Sequence, residues 1–174
     1  MEIFNTTWKV LIPIFKKPTI GLTVREIARE SNITHPTVSK EIRKIQKEGL
    51  IEVEERRREK LIRGNFENEE FVQLKKLYNL LSLRPLVEKI TLKYPVDVII
   101  CFGSYSIGRD TEKSDIDLYI GYRKIKLEER LRLELEKKLL RNIQVFSGNL
   151  RKFPRELREN IINGVKVYGW LKLW

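Results

Sequence analysis

The chain has 174 residues, 35 of them lysine or arginine against 24 aspartate or glutamate, for a formal net charge of +11, and 41% are hydrophobic, enough for one large or two small domains with buried cores. The basic surplus favours a polyanion such as nucleic acid as partner, although 34% charged residues would equally suit a solubilising surface. One cysteine, Cys101, excludes an internal disulfide or a cysteine zinc cluster, and one histidine, His35, excludes a histidine metal site; with no apolar run of roughly 18 residues and no secretory pattern at the N-terminus, a cytoplasmic protein off the membrane is expected.

In chain order, the first expected element is an apolar helix from Thr7 to Phe15 that stops near Lys17-Pro18. Thr23-Val24-Arg25-Glu26 is a capping box that opens a short helix through Ile27 and Ala28, with a turn at Ser31-Asn32. Thr34 is expected to cap the next helix, with Pro36 in its first turn, where the missing N–H costs nothing; Gly49 is the stop. The stripe Val38, Ile42, Ile45 faces a core, leaving Thr34, His35, Thr37, Lys40, Arg43 and Lys44 on exposed or flanking faces. Two strands, Leu50 to Val53 and Lys60 to Ile62, follow as a hairpin whose loop carries Arg56, Arg57 and Arg58.

Residues 1–65 resemble a winged helix-turn-helix domain, carried by Leu22-Thr23-Val24-Arg25-Glu26-Ile27-Ala28 and Ile33-Thr34-His35-Pro36-Thr37-Val38-Ser39. The resemblance implies DNA as partner. Thr34, His35, Thr37, Lys40, Arg43 and Lys44 would then face the major groove, and Arg56, Arg57 and Arg58 the phosphates or the minor groove. Winged helices also serve as dimerisation or docking modules, and Glu54, Glu55 and Glu59 offset the basic wing, so homodimerisation or protein docking stays open.

Residues 66–94 read as a helical linker, with Phe71, Leu74, Tyr78 and Leu81 at helical spacing and a kink near Arg84-Pro85. The apolar run from Val96 to Phe102 then reads as a buried strand ending at the turn Gly103-Ser104, with Cys101 as core filler. A second β-rich run, Ser114-Asp115-Ile116-Asp117-Leu118-Tyr119-Ile120, puts Asp115 and Asp117 two apart. Side chains at that spacing leave a strand on one face, so both carboxylates enter one site while Ile116, Leu118 and Ile120 turn to the core; two hard oxygen ligands so close suit Mg²⁺.

Gly103-Ser104, Gly108 and Ser114-Asp115-Ile116-Asp117-Leu118 together resemble the signature of the polymerase-β-like nucleotidyltransferase superfamily, in its minimal branch, over residues 96–147. The resemblance implies that Gly103, Ser104, Gly108 and Ser114 bind a nucleoside triphosphate, expected to be ATP. It also makes Asp115 and Asp117 the Mg²⁺ ligands and, with Ser104, the catalytic residues of nucleotidyl transfer to a protein or nucleic-acid hydroxyl. The family adds a third acid on the next strand, expected here over Asn142 to Phe146 after a helix from Leu127 to Leu140, and this chain has Gln144 there. A neutral amide neither accepts the proton nor supplies charge, so turnover is left open. Glu134 and Glu136 lie on a helix whose buried stripe is Leu131, Leu135, Leu139, and are expected in solvent.

The C-terminal segment offers a helix from Pro154 to Asn163 and a strand from Val165 to Trp174, with Trp8, Trp170 and Trp174 as packing or interface residues. The expected class is therefore α+β with two domains, a winged helix-turn-helix over 1–65 and a nucleotidyltransferase-like mixed sheet flanked by helices over 95–174. The leading functional reading is a DNA-binding nucleotidyltransferase. Two others fit the same residues: a degenerate, nucleotide-sensing transcriptional regulator, and an antitoxin that acts by binding a toxin partner.

Overall fold

The computed structural model of the chain describes residues 5–56, 59–121 and 126–171. The chain divides into two compact units, Met1–Lys75 and Lys76–Trp174. The α+β, two-domain class read from the sequence is the class observed.

The first unit begins with α1 (Thr6–Lys16), capped by Asn5, whose side chain accepts from the Trp8 amide. Helix α2 (Val24–Ser31) opens on the expected capping box, in which Thr23 and Glu26 bond each other's backbone amides, and it ends at Asn32 in the left-handed region. Hydrogen bonds donated by the Thr23 amide and hydroxyl hold the Glu26 carboxyl below its ordinary range. Helix α3 (His35–Lys47) buries the expected stripe Val38, Ile42 and Ile45. Thr34 occupies its N-cap position without capping it: the hydroxyl lies 2.9 Å from that of Thr37 instead.

Strands β1 (Ile51–Arg56) and β2 (Glu59–Gly64) form an antiparallel hairpin longer than the sequence suggests, and Leu22 bridges to Ile62 beside it. Arg56, expected in the loop, is therefore the last ladder residue of β1, opposite Glu59. The core of this unit gathers Val10, Ile14 and Phe15 from α1, the α3 stripe, Ile62 and Phe71. The Phe71 ring packs 5.5 Å from that of Phe15 and edge-on at 5.6 Å from Phe66.

The residues read as a linker are two helices, α4 (Glu69–Ser82) and α5 (Arg84–Lys93), and the division between the units falls within α4. The break comes at Leu83, because Pro85 sits in the first turn of α5, where it is tolerated. Leu81, one of the residues at helical spacing, is 44% exposed, while Asn79 is buried. Leu83, Leu86 and Ile90 pack into the core of the second unit.

That unit is built on a four-stranded sheet of order β5-β4-β3-β6, with β3 Val98–Phe102, β4 Ile116–Gly121, β5 Ile143–Ser147 and β6 Val165–Gly169. Strand β3 is antiparallel to β4 and β6, whereas β4 and β5 are parallel and joined through α7 (Glu129–Leu139). One face carries Ile99, Cys101, Ile116, Leu118, Ile120 and Ile143 against α5 and Leu135 of α7. The other carries Val98, Ile100, Phe102 and Tyr119 against Leu150 and against Ile161 of α8 (Arg155–Ile162). Trp8 packs edge-on to Phe15; Trp170 is 76% exposed, with the Lys166 amine 4.0 Å over its ring, and Trp174 lies outside the described residues.

Candidate functional site

Strand β3 ends at Phe102, and the chain enters the short helix α6 (Gly103–Ile107) through Gly103, whose φ is +70°. The positive φ favours glycine, and a Cβ at this position would lie 2.5 Å from Asp117 Oδ2 and displace that carboxylate. Gly108 closes α6 in the left-handed region, at φ +77°. Beneath α6, the buried Asn79 amide donates to the Tyr105 carbonyl at 2.9 Å and to Asp110 Oδ1 at 2.6 Å, and Ser82 and Tyr105 share a hydroxyl hydrogen bond of 2.8 Å. Ser104 is half-buried, and among the described residues no side chain bonds its hydroxyl.

Asp117 is the second residue of β4 and pairs with Phe102, the residue before Gly103. Asp115 lies two positions earlier, so the two carboxylates share the face that the alternation of Ile116 and Leu118 leaves open. Burial pushes the Asp117 carboxyl up from its ordinary range, and the charge of Asp115 pushes it further the same way. Cys101, one residue before Phe102, is pushed up to about 12 by burial, with the charges of Asp117 and Asp110 adding to it, which fits core filler and not a nucleophile.

The parallel register sets Gln144 of β5 directly opposite Asp117. Its Nε2 donates to Asp115 Oδ2 at 2.5 Å, and Asn142 Nδ2 donates to Asp115 Oδ1 at 3.1 Å. Gln144 thus stands among the carboxylates as an amide donor. Ser114 turns its hydroxyl to the Thr111 amide at 3.0 Å, closing the loop before β4. Glu136, expected in solvent, is a correction: it is largely buried and accepts from the Ile143 amide at 3.0 Å, fixing the start of β5. Glu134 does lie at the surface, paired with Lys89.

The donor chemistry suits a hard divalent cation. Two carboxylates on one face repel each other, which a cation between them relieves, and the open backbone at Gly103 admits a ligand next to them. Among the described residues no group of three or more His, Cys, Asp or Glu side chains forms a metal cage.

In the first unit, His35, Lys40, Arg43 and Lys44 stand exposed on α3, opposite its buried stripe, with Thr34 beside them and Thr37 half-buried. Arg56 is exposed but donates to Glu54 at 2.6 Å, which reduces the free charge on the wing. Arg57 and Arg58 lie outside the described residues. What the sequence reading missed is Asn142: it stands two residues before Gln144, the same spacing that singled out Asp115 and Asp117. Among the described residues no helix is long and apolar enough to cross a membrane.

Residues 16–60 match the model of the MarR family, in keeping with the winged helix. No curated protein matches the chain. Residues 68–169, more than half of the chain and the whole span from α4 to β6, match the model described as polymerase beta, nucleotidyltransferase. With more than half of its residues matched, the chain belongs to the polymerase β nucleotidyltransferase family.

Proposed function

We propose that the protein binds DNA through its MarR-type domain and a magnesium–nucleoside triphosphate, ATP in the first instance, through Gly103, Ser104, Asp115 and Asp117. The observation that carries this reading is the juxtaposition of Asp117 Oδ2 with the bare backbone of Gly103. The first amides of α6 and the Ser104 hydroxyl are donors suited to phosphate oxygens, and Gly108 gives the loop its return. Asp115 and Asp117 would hold Mg²⁺, which would supply positive charge against the charge that develops on the phosphates.

Transfer would send a nucleotidyl group to a hydroxyl of a protein, a toxin partner among the candidates, or of a nucleic acid: the acceptor oxygen bonds to the α-phosphorus, the α–β anhydride bond breaks, and pyrophosphate leaves. Gln144 has no basic oxygen to take the proton of that hydroxyl, which supports slow transfer and keeps a second reading in play, a nucleotide-sensing DNA-bound regulator. Homodimerisation through the MarR-type domain and work in the cytoplasm complete the proposal.

The test is incubation with radiolabelled ATP and Mg²⁺, reading label retained and label transferred. Retention by the wild type and its loss in Asp117→Ala support nucleotide binding; slow transfer supports the first reading, and retention without transfer the second. A wild type that retains no label contradicts both.

A further inference from the structure

The Asp115 carboxylate is gripped on both oxygens. Asn142 donates to Oδ1 at 3.1 Å and Gln144 to Oδ2 at 2.5 Å. Both donors come from one end of β5, and the parallel ladder sets them there: Ile116 pairs with Ile143, and the Ile116 amide donates to the Asn142 carbonyl at 2.9 Å. A strand repeats every two residues, so 142 and 144 share the face of 115 and 117.

The turn that delivers Asn142 is itself built. Helix α7 ends at Leu140 in the left-handed conformation, at φ +56°, an uncommon state for an exposed leucine. The next residue, Arg141, is buried, donates to the Leu140 carbonyl at 2.9 Å and lies 3.6 Å from the buried Asp110 carboxylate. Glu136 accepts from the Ile143 amide. Asn142 is therefore held between two fixed neighbours at the mouth of the site, although its own side chain is exposed.

We propose that Asn142 is a positioning residue of the cation site: with Gln144 it fixes Asp115, one amide on each oxygen, in the orientation in which the carboxylate meets the cation. The inference rests on the reading of Asp115 and Asp117 as cation ligands. Amides are suited to the task because each donates to the carboxylate while leaving lone pairs on both oxygens for the metal. They add no charge, so they orient Asp115 without competing for the cation.

The test titrates Mn²⁺–ATP into the full-length wild type, Asn142→Ala and the shape-conserving Asn142→Leu, with Asp117→Ala as control, alongside thermal unfolding of each. The expected result is an affinity about tenfold lower in both Asn142 variants, with unfolding midpoints unchanged. A structural role alone would lower the midpoint and leave affinity intact. If one variant fails to fold, the other is read. In the metal-free protein, the Asn142 and Gln144 side-chain amide resonances should shift in Asp115→Ala. Unchanged affinity in the folded Asn142 variants overturns the positioning role while leaving the site assignment standing. Wild-type binding no stronger than that of Asp117→Ala overturns the site assignment, and the inference with it.

Discussion

At the residue scale the chemistry turns on Gln144. The resemblance implies that it stands where the family places a third acid; the register sets it opposite Asp117. Its bond to Asp115 was not legible, because a strand's own pattern fixes its faces but not which residues of the adjacent strand stand opposite. Gln144→Glu is expected to bring a third carboxylate against Asp115, weakening the metal-free fold, tightening Mg²⁺–ATP and raising transfer by about 10²-fold. A steady-state assay checks this, and brisk wild-type transfer that the substitution leaves unchanged would count against it. Asp117 gives a pH signature. Its raised folded pKa means the native state holds the proton more tightly than the unfolded chain does, so its contribution favours folding in acid and is lost as pH rises through the raised value. In a chelator, Asp117→Asn should be more stable than wild type at neutral pH, and the gap should close as unfolding is followed down to about pH 3.

At the element scale, helices with strong local signals were readable. The Thr23 capping box, the α3 stripe and the turn at Gly103-Ser104 depend on neighbours within a few residues, and the structure has all three. Elements set by distant partners were less so. Leu81 had the helical spacing of a core residue, yet Asn79 is the buried one, drawn in by the Tyr105 carbonyl and Asp110 some thirty positions away. Glu136 looked like a solvated helix residue because its partner, the Ile143 amide, belongs to the following strand. The wing strands run on past the apolar residues because Glu55 pairs with Lys60 and Arg56 with Glu59 in the ladder. Helix α3 carries the prediction at this scale: Lys40→Ala and Arg43→Ala should each weaken DNA binding and reduce the slope of log affinity against log salt by about 1 for each phosphate no longer neutralised. Salt slopes identical to wild type in both variants would move the DNA-binding face elsewhere.

At the scale of the whole molecule, the chain joins a winged-helix unit, whose residues 16–60 match the MarR family model, to a nucleotidyltransferase-family domain, and each has its own core. The net charge of +11 fits both a DNA surface and a triphosphate site, and so discriminates between neither. The discriminating feature is local: two carboxylates beside a glycine whose positive φ disfavours any side chain and whose Cβ position lies 2.5 Å from Asp117 Oδ2. Calorimetric titration of Mg²⁺–ATP into wild type, Asp115→Ala and Asp117→Ala puts that feature to the test. Saturable binding in the wild type and its loss in both variants, each still folded, is the expected result; equal affinity in all three proteins would contradict it.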